Sequence, residues 1–220
     1  MPGGNKVPVH TLERLATYLS ILTDMKGRHI ETISSTDIEE RTGINAAQFR
    51  KDLSYFGEFG KPGIGYNVPD LQARIARILN LDRTQKVILV GVGNLGSALL
   101  GYPALRAENF EIVAAFDANP AKVGRKIWDL TIMDISSLTE ENARLQAKIA
   151  IIAVPAPAAQ EVAERLADAK IRTILNFAPI VLRLPRDIQT RNVDFVQELA
   201  VLSFHVGAQK SDNENEVDNS

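Results

Sequence analysis

Three glycines and one acid carry the chemistry most readily read from this chain: Gly91, Gly93 and Gly96 in the run Gly91-Val92-Gly93-Asn94-Leu95-Gly96, and Asp117. In G-x-G-x-x-G the first glycine permits a tight turn, the second lets a pyrophosphate approach the backbone, and the third allows a helix to pack closely on a strand. The anion is then held by free backbone N–H groups and the positive end of a helix dipole, without a basic side chain. Such a loop needs a strand before it and a helix after it. Val87 to Val90 supplies an apolar run rich in β-branched residues, as a parallel strand buried on both faces requires. A second apolar run, Ile112 to Phe116, ends at Asp117, about twenty residues beyond Gly96, where an acid receives ribose hydroxyls. A carboxylate there repels a ribose phosphate, so the expected ligand is NAD(H) rather than NADP(H).

Further strands extend the sheet. Ile149 to Val154 is a buried-strand signal that Pro155-Ala156-Pro157 ends before a helix from Ala159 to Ala169. Ligands of open α/β sheets lie beyond the carboxyl ends of strands, which places Val154 and Pro155 in the cleft. By the same geometry the strand Thr173 to Leu175 delivers Phe177, Ala178 and Pro179 to the nicotinamide side, although such a segment can equally be a plain structural turn. Lys122 either accompanies the ribose or solvates a helix. A last strand is predicted over Asn192 to Val196 and a helix over Glu198 to Val206. Leu199, Ala200, Val201, Leu202, Phe204 and Val206 leave that helix almost no polar face, so insertion against a second subunit is expected. His205 within it reads as an interface residue rather than a catalyst or metal ligand.

The first eighty residues read as a separate module. Leu12, Leu15, Ala16, Leu19 and Leu22 recur at helical spacing. Ser34 to Asp37 supplies caps for a short second helix through Ile38 to Arg41, which Gly43 can end. Asn45, with Gln48 three residues on, opens a third helix whose Ala46, Phe49 and Leu53 face inward. Gln48, Arg50, Lys51, Ser54 and Tyr55 are left towards solvent, as a helix-turn-helix requires of a helix that enters a major groove. A small three-helix bundle with a solvated basic face fits those residues as well. The glycines and aromatics from Tyr55 to Tyr66 suit a hairpin turning at Lys61-Pro62-Gly63, which would be a wing with Lys61 and Gly63 at its tip. Pro69 then opens a linking helix through Leu71, Ile75 and Ile78.

Composition narrows the function classes. The chain has no cysteine, so disulfides and thiol catalysis are excluded, and a reducing cytoplasm is expected. No apolar run reaches the roughly 20 residues of a membrane span. Net charge is −2, and the last twelve residues hold Asp212, Glu214, Glu216 and Asp218 against Lys210, so the rest is close to neutral. Nucleic-acid binding would therefore rest on where basic residues sit.

The run Phe49 to Gly57, the segment Gly60 to Tyr66, the stretch Gly91 to Gly96 continuing through Tyr102-Pro103, and Asn176 to Pro179 together resemble the Rex family of redox-sensing transcriptional repressors. The resemblance runs from about Val7 to Phe204. It implies a homodimer that binds palindromic operator DNA through winged-helix domains and releases it when NADH, rather than NAD+, occupies the Rossmann domains. It also implies that Tyr102 and Asp194 couple the domains. One departure stands out: where family members can carry an arginine late in the first helix, this chain has Ser20.

The predicted architecture is α/β. A winged-helix DNA-binding domain with its linking helix covers residues 1–80. A Rossmann-type parallel-sheet domain for NAD(H) binding and dimerisation covers residues 81–208 and ends in a helix exchanged across the dimer. An acidic tail, residues 209–220, is expected to be disordered. The expected protein is cytoplasmic, with no membrane association, no catalytic residues and no metal. The competing reading is an NAD-dependent dehydrogenase with an accessory domain, and a third is a CoA- or nucleotide-binding subunit. Tyr102 lacks the lysine at i+4 that a catalytic tyrosine would use, and a CoA-binding subunit would leave the winged module without a use.

Overall fold

The computed structural model describes residues 7–60, 64–204 and 206. The chain divides between Thr84 and Gln85 into two compact units.

In the first unit, α1 (Val9–Gly27) buries Leu15, Tyr18, Leu19, Leu22 and Met25 along one stripe. Helix α2 (Ser35–Thr42) opens on a capping box in which Ser34 Oγ accepts from the Asp37 N–H at 3.1 Å and Asp37 accepts from the Ser34 N–H at 2.7 Å. It is longer than the expected 38–41 because that box sits one turn earlier. Gly43, at φ 70°, closes it in the left-handed conformation that glycine adopts freely. Helix α3 (Ala46–Ser54) follows, with Asn45 accepting from the Ala47 N–H at 2.8 Å. The linking helix is α4 (Val68–Ile78), capped by Asn67 with Pro69 in its first turn. Phe49 lies at the centre of the core, edge-on to Tyr18 at 4.8 Å and to Tyr66 at 5.2 Å between ring centroids.

The wing is paired differently from the expected local hairpin. Strand β2 (Tyr66–Asn67) is antiparallel to β1 (Thr32–Ile33), which precedes α2, and residues 57–60 form no strand. Gly57 and Gly60 have positive φ, 109° and 72°, and Arg74 stacks over the Phe59 ring at 3.9 Å. These turns take the segment out of a ladder, so β2 pairs with a distant partner instead. Lys61, Pro62 and Gly63 lie outside the described residues.

A buried carboxylate ties α3 to α1. Asp52 is fully buried and receives Arg14 through Nε at 2.6 Å and Nη2 at 2.7 Å, Tyr18 OH at 3.0 Å, Thr11 Oγ1 at 3.1 Å and Gln48 Nε2 at 2.8 Å. Burial by itself would raise the Asp52 pKa, but the hydrogen bonds from Arg14, Gln48 and Tyr18 and the Arg14 charge outweigh it and hold the carboxyl below its ordinary value. Burial, then the neighbouring carboxylate, pushes the Tyr18 hydroxyl up, so it stays a proton donor to Asp52.

The second unit is built on a seven-stranded sheet. Its strands are β3 (Gln85–Val90), β4 (Phe110–Asp117), β5 (Lys126–Ile127), β6 (Leu130–Asp134), β7 (Ile149–Ile152), β8 (Thr173–Asn176) and β9 (Gln189–Asn192), in the order β5-β6-β4-β3-β7-β8-β9. All neighbours are parallel except β5 with β6. With the antiparallel edge strand β5 set aside, the spatial order is that of the doubly wound dinucleotide fold, whose order reverses between its first and fourth strands, here β3 and β7. Helices α5 (Asn94–Leu100), α6 (Pro103–Ala107), α7 (Leu138–Leu145) and α8 (Ala156–Asp168) complete it. Helix α8 begins three residues earlier than expected because Pro157 falls in its first turn, where no intrahelical N–H is needed.

Two expectations at the end of the chain are corrected. The last strand is Gln189–Asn192 rather than 192–196, and a helix already runs over residues 195–204. Asp194 sets that boundary, because Oδ1 accepts from the N–H groups of Val196 at 2.9 Å and Gln197 at 3.2 Å. His205 and the tail from residue 207 lie outside the described residues.

Asp52→Ala should lower the stability of the first unit by on the order of 3 to 5 kcal/mol, because Arg14 and Tyr18 lose the charge they face. The single tryptophan, Trp128, lies in the second unit, so thermal unfolding followed by helical circular dichroism should shift while tryptophan fluorescence does not. The folded pKa of Asp52 is below its unfolded value of about 3.9, so its contribution is complete above that pH and is lost as pH falls through the folded pKa. Asp52→Asn should flatten that acid-side decline.

Candidate functional site

At the reversal point of the sheet, the three glycines of the loop do three different things. Gly91, at φ 96°, turns beneath the next strand end, and a Cβ on it would lie 2.5 Å from the Ala153 carbonyl oxygen. Gly96 packs so closely that a Cβ would run into the Gly91 carbonyl oxygen. Gly93 faces open space, with nothing within 4 Å of a Cβ. That is the backbone face a phosphate can approach. Gly93 is also the N-cap of α5 and offers no side-chain cap, so the first N–H groups of the helix are left for a ligand.

Asp117 fixes this loop from the end of β4. Its Oδ2 accepts from the Val92 N–H at 2.9 Å and from Lys122 Nζ at 2.9 Å, and Oδ1 accepts from the Asn119 N–H at 2.9 Å. Burial would raise its pKa, but Lys122 and the two backbone donors outweigh that and hold it below the ordinary range. The residue is an anion with at least one lone pair left for a hydroxyl donor. Lys122 is the counter-ion of Asp117, a role the sequence reading did not assign to it.

These residues line one cavity of about 540 Å³. Gly91, Gly93, Asp117, Lys122, Val154 and Pro155 all line it. Val92, Asn94, Leu95 and Gly96 belong to the loop and the start of α5. Sequence reasoning missed Asn119, Ile135, Ala158, Glu161, Val162 and Arg165, which also line it. Ala158, Val162 and Arg165 recur at helical spacing after Pro155, and that periodicity was the available signal. An open glycine cradle, a positioned carboxylate and a cavity of this size fit a dinucleotide.

The remaining expected cofactor residues lie elsewhere in the unit. Asn176 is fully buried, and its amide donates to the carbonyls of Ala178 and Ile180 and to Asn192 Oδ1, each at 3.0 Å, while accepting from the Ala178 N–H. This turn sets Phe177, Ala178 and Pro179. Ala178 is buried, Pro179 is exposed, and Phe177 packs against the cluster of Val87, Leu89 and Ile151 and faces the Phe195 ring at 6.2 Å. Tyr102 is 56% exposed and lines a seam with Trp128, not the 540 Å³ cavity. Asp194 is the cap of the helix over residues 195–204.

In the first unit, α3 presents Arg50, Lys51, Ser54 and Tyr55 to solvent. Arg50 Nη1 donates to Ser35 Oγ at 2.7 Å, which links the exposed face of α3 to the start of α2. Ser54 Oγ donates to the Lys51 carbonyl at 2.7 Å. Gln48 is a correction: half-buried and donating to Asp52, it is neither the reciprocal cap of Asn45 nor a free base-reading amide. A carboxylate one turn further along α3 outcompetes solvent for its amide.

Comparisons with known proteins cover both units. Residues 82–180 match the family model described as a CoA binding domain, and residues 6–54 match a putative DNA-binding protein N-terminus. The chain is 45% identical over 94% of its length to the redox-sensing transcriptional repressor Rex of Desulfitobacterium hafniense, of which 98% is covered. It is 43% identical over 96% of its length to the protein of that name from Chloroflexus aggregans, of which 99% is covered. Among solved structures it is similar to RSP, a Rex-family repressor. In complex with β-NAD+ and operator DNA, that protein matches with TM-score 0.89 and 34% identity over 99% of this chain and 100% of its own. Its complex with β-NADH matches with TM-score 0.85 and 33% identity over 96% and 99%.

The glycines make a test that needs no ligand. Gly96→Ala should lower the thermal midpoint of the second unit, losing about 1 to 3 kcal/mol through overpacking against Gly91, whereas Gly93→Ala should leave it nearly unchanged. Trp128 fluorescence during thermal unfolding distinguishes them.

Proposed function

The chain belongs to the Rex family of redox-sensing transcriptional repressors, and from that premise we propose that it binds palindromic operator DNA as a homodimer and leaves it when NADH occupies the second unit. The observation that carries this reading is the end-to-end match to a repressor solved with operator DNA and NAD+, and also with NADH. The winged-helix and Rossmann-type units each hold a site suited to one of those ligands. The reading makes the chain a cytoplasmic regulator of transcription, not an enzyme, and its named relatives are regulators. Among the described residues no helix is long and apolar enough to cross a membrane.

The division of labour follows from the geometry. Residues 91–96 would cradle the pyrophosphate, and Asp117, charged and fixed by Lys122, would accept from the adenosine ribose. Val154 and Pro155 would wall the cleft, and Phe177, Ala178 and Pro179 with Tyr102 would meet the nicotinamide. NAD+ carries a positive charge on that ring, so an apolar surface imposes a desolvation cost that neutral NADH avoids. The nicotinamide is read for its charge and supplies no hydride. The Asn176 turn would pass its state on through Asn192 and the Phe177–Phe195 contact to the helix over residues 195–204, whose exposed Val196, Leu199, Leu202 and Phe204 a partner subunit would cover. Arg50, Lys51, Ser54 and Tyr55 would meet the major groove, and Lys61 with Gly63 the adjoining backbone.

Two variants separate the sites. Asp117→Ala should weaken NADH binding by on the order of 1.5 to 3 kcal/mol while operator binding persists and resists release. Lys51→Ala should weaken operator binding and lower its salt slope by about one phosphate's worth, with NADH affinity unchanged. Calorimetry with NADH and a mobility assay with operator duplex measure both. Unchanged NADH affinity in Asp117→Ala, or steady NADH oxidation with a small carbonyl, would overturn the assignment.

A further inference from the structure

We propose that Trp128 is a positioning residue: its indole, seated on Gly101, holds the corner between α5 and α6 at which Tyr102 stands. The inference rests on the reading above only in what Tyr102 does. The turn that carries Trp128 joins β5 to β6 in two residues, Trp128 and Asp129, and Trp128 has φ 52°. A left-handed backbone disfavours a bulky side chain, and such turns ordinarily take Asn-Gly. Trp128 is also 69% exposed. Both features are unfavourable for an indole, and the ring's position is what they secure.

That position is a contact with a backbone. A Cβ added to Gly101 would lie 2.8 Å from Trp128 Nε1 and 2.9 Å from Cε2 and Cζ2, so the ring occupies the space that any other side chain would take. Asp129, next in the turn, reaches Arg106 of α6 at 4.0 Å. The turn therefore touches the corner on both sides. The seam between them, where Leu99, Tyr102 and Leu105 meet Ile127, Trp128 and Leu130, is narrow, about 30 Å³.

Leu99 and Leu100 at the end of α5 pack into the core, but Tyr102 itself has few other ties. Tyr102 is the N-cap of α6 without a side-chain cap bond, and Pro103 follows it. Its backbone bonds are long, 3.2 Å from the Tyr102 N–H to the Leu99 carbonyl and 3.3 Å from the Leu105 N–H to the Tyr102 carbonyl. Removing the indole should free the corner while leaving the sheet and the glycine loop intact.

Amide hydrogen exchange across residues 99–106 and the factor by which saturating NADH weakens operator binding test this in the full-length protein. In Trp128→Ala, exchange should speed up roughly ten-fold at the corner. The coupling factor should fall roughly five-fold, with the affinity for operator alone within about two-fold of the parent and any loss of NADH affinity smaller than the loss of coupling. Gly101→Ala, which displaces the ring, should behave alike, and Trp128→Phe should restore most of both readouts. Unchanged exchange in Trp128→Ala overturns the positioning claim, and fast exchange with unchanged coupling overturns its consequence for the switch. If NADH leaves operator binding of the parent unchanged, the repressor reading fails instead, and the exchange arm still decides whether Trp128 holds the corner.

Discussion

A carboxylate taken out of water must be met by donors, and the structure is arranged around two places where that demand is satisfied. Asp117 draws the Val92 N–H towards the end of β4, which holds the glycine loop against the next strand while Lys122 keeps the acid charged. Asp52 draws Arg14, Tyr18, Thr11 and Gln48 to one point and sets the rotation of α3 on α1. Each acid fixes the element that would bind a ligand without itself being the main contact surface. Loss of Asp52 leaves Tyr18 and Thr11 unpaired in a buried interior, whereas loss of Asp117 leaves Lys122 and the Val92 N–H at the wall of a cavity that water can reach.

What could be read from sequence was what is local. The glycine spacing, the strand before it and the acid after it all lie within a stretch where periodicity and turn chemistry act directly, and the structure assembles Gly91, Gly93, Asp117, Lys122, Val154 and Pro155 around one cavity. The caps at Ser34, Gly43 and Asn45 are equally local. The Asp52 network was not legible, because Arg14 lies 38 residues away and nothing in the spacing joins them. Gln48 was read as solvent-facing from the helical wheel, but it is half-buried and its amide turns to a charge one turn on, a local contact that the wheel does not show. The β5–β6 hairpin was missed because its turn is Trp128-Asp129, not a glycine pair, and the wing was mispaired because β1 is distant in sequence. The final boundary moved because an Asp194 cap was read as part of a strand.

The helix over residues 195–204 shows how far a single chain explains itself. Phe195, Val196, Leu199, Leu202 and Phe204 are each at least 60% exposed and are spread around the helix, an apolar surface that a monomer rarely presents. In the proposed homodimer that surface is covered, and its first residue touches Phe177, which belongs to the turn assigned to the nicotinamide. Cofactor state and subunit arrangement then share one structural element. A ligand can shift that arrangement only by its differential affinity for the two forms, and moving a dimer from mostly competent to mostly incompetent takes roughly 5.5 kcal/mol across its sites.

Linkage makes the central claim measurable in one experiment. Operator duplex must weaken NADH binding by the same total factor by which NADH weakens operator binding, because both factors are one coupling free energy. NADH is titrated against the dimer by its own fluorescence, with and without saturating operator duplex, at fixed salt. The account predicts a clearly weaker NADH affinity when operator is bound, and little change in the NAD+ affinity measured by calorimetry under the same two conditions. Equal NADH affinity in the two titrations would contradict it.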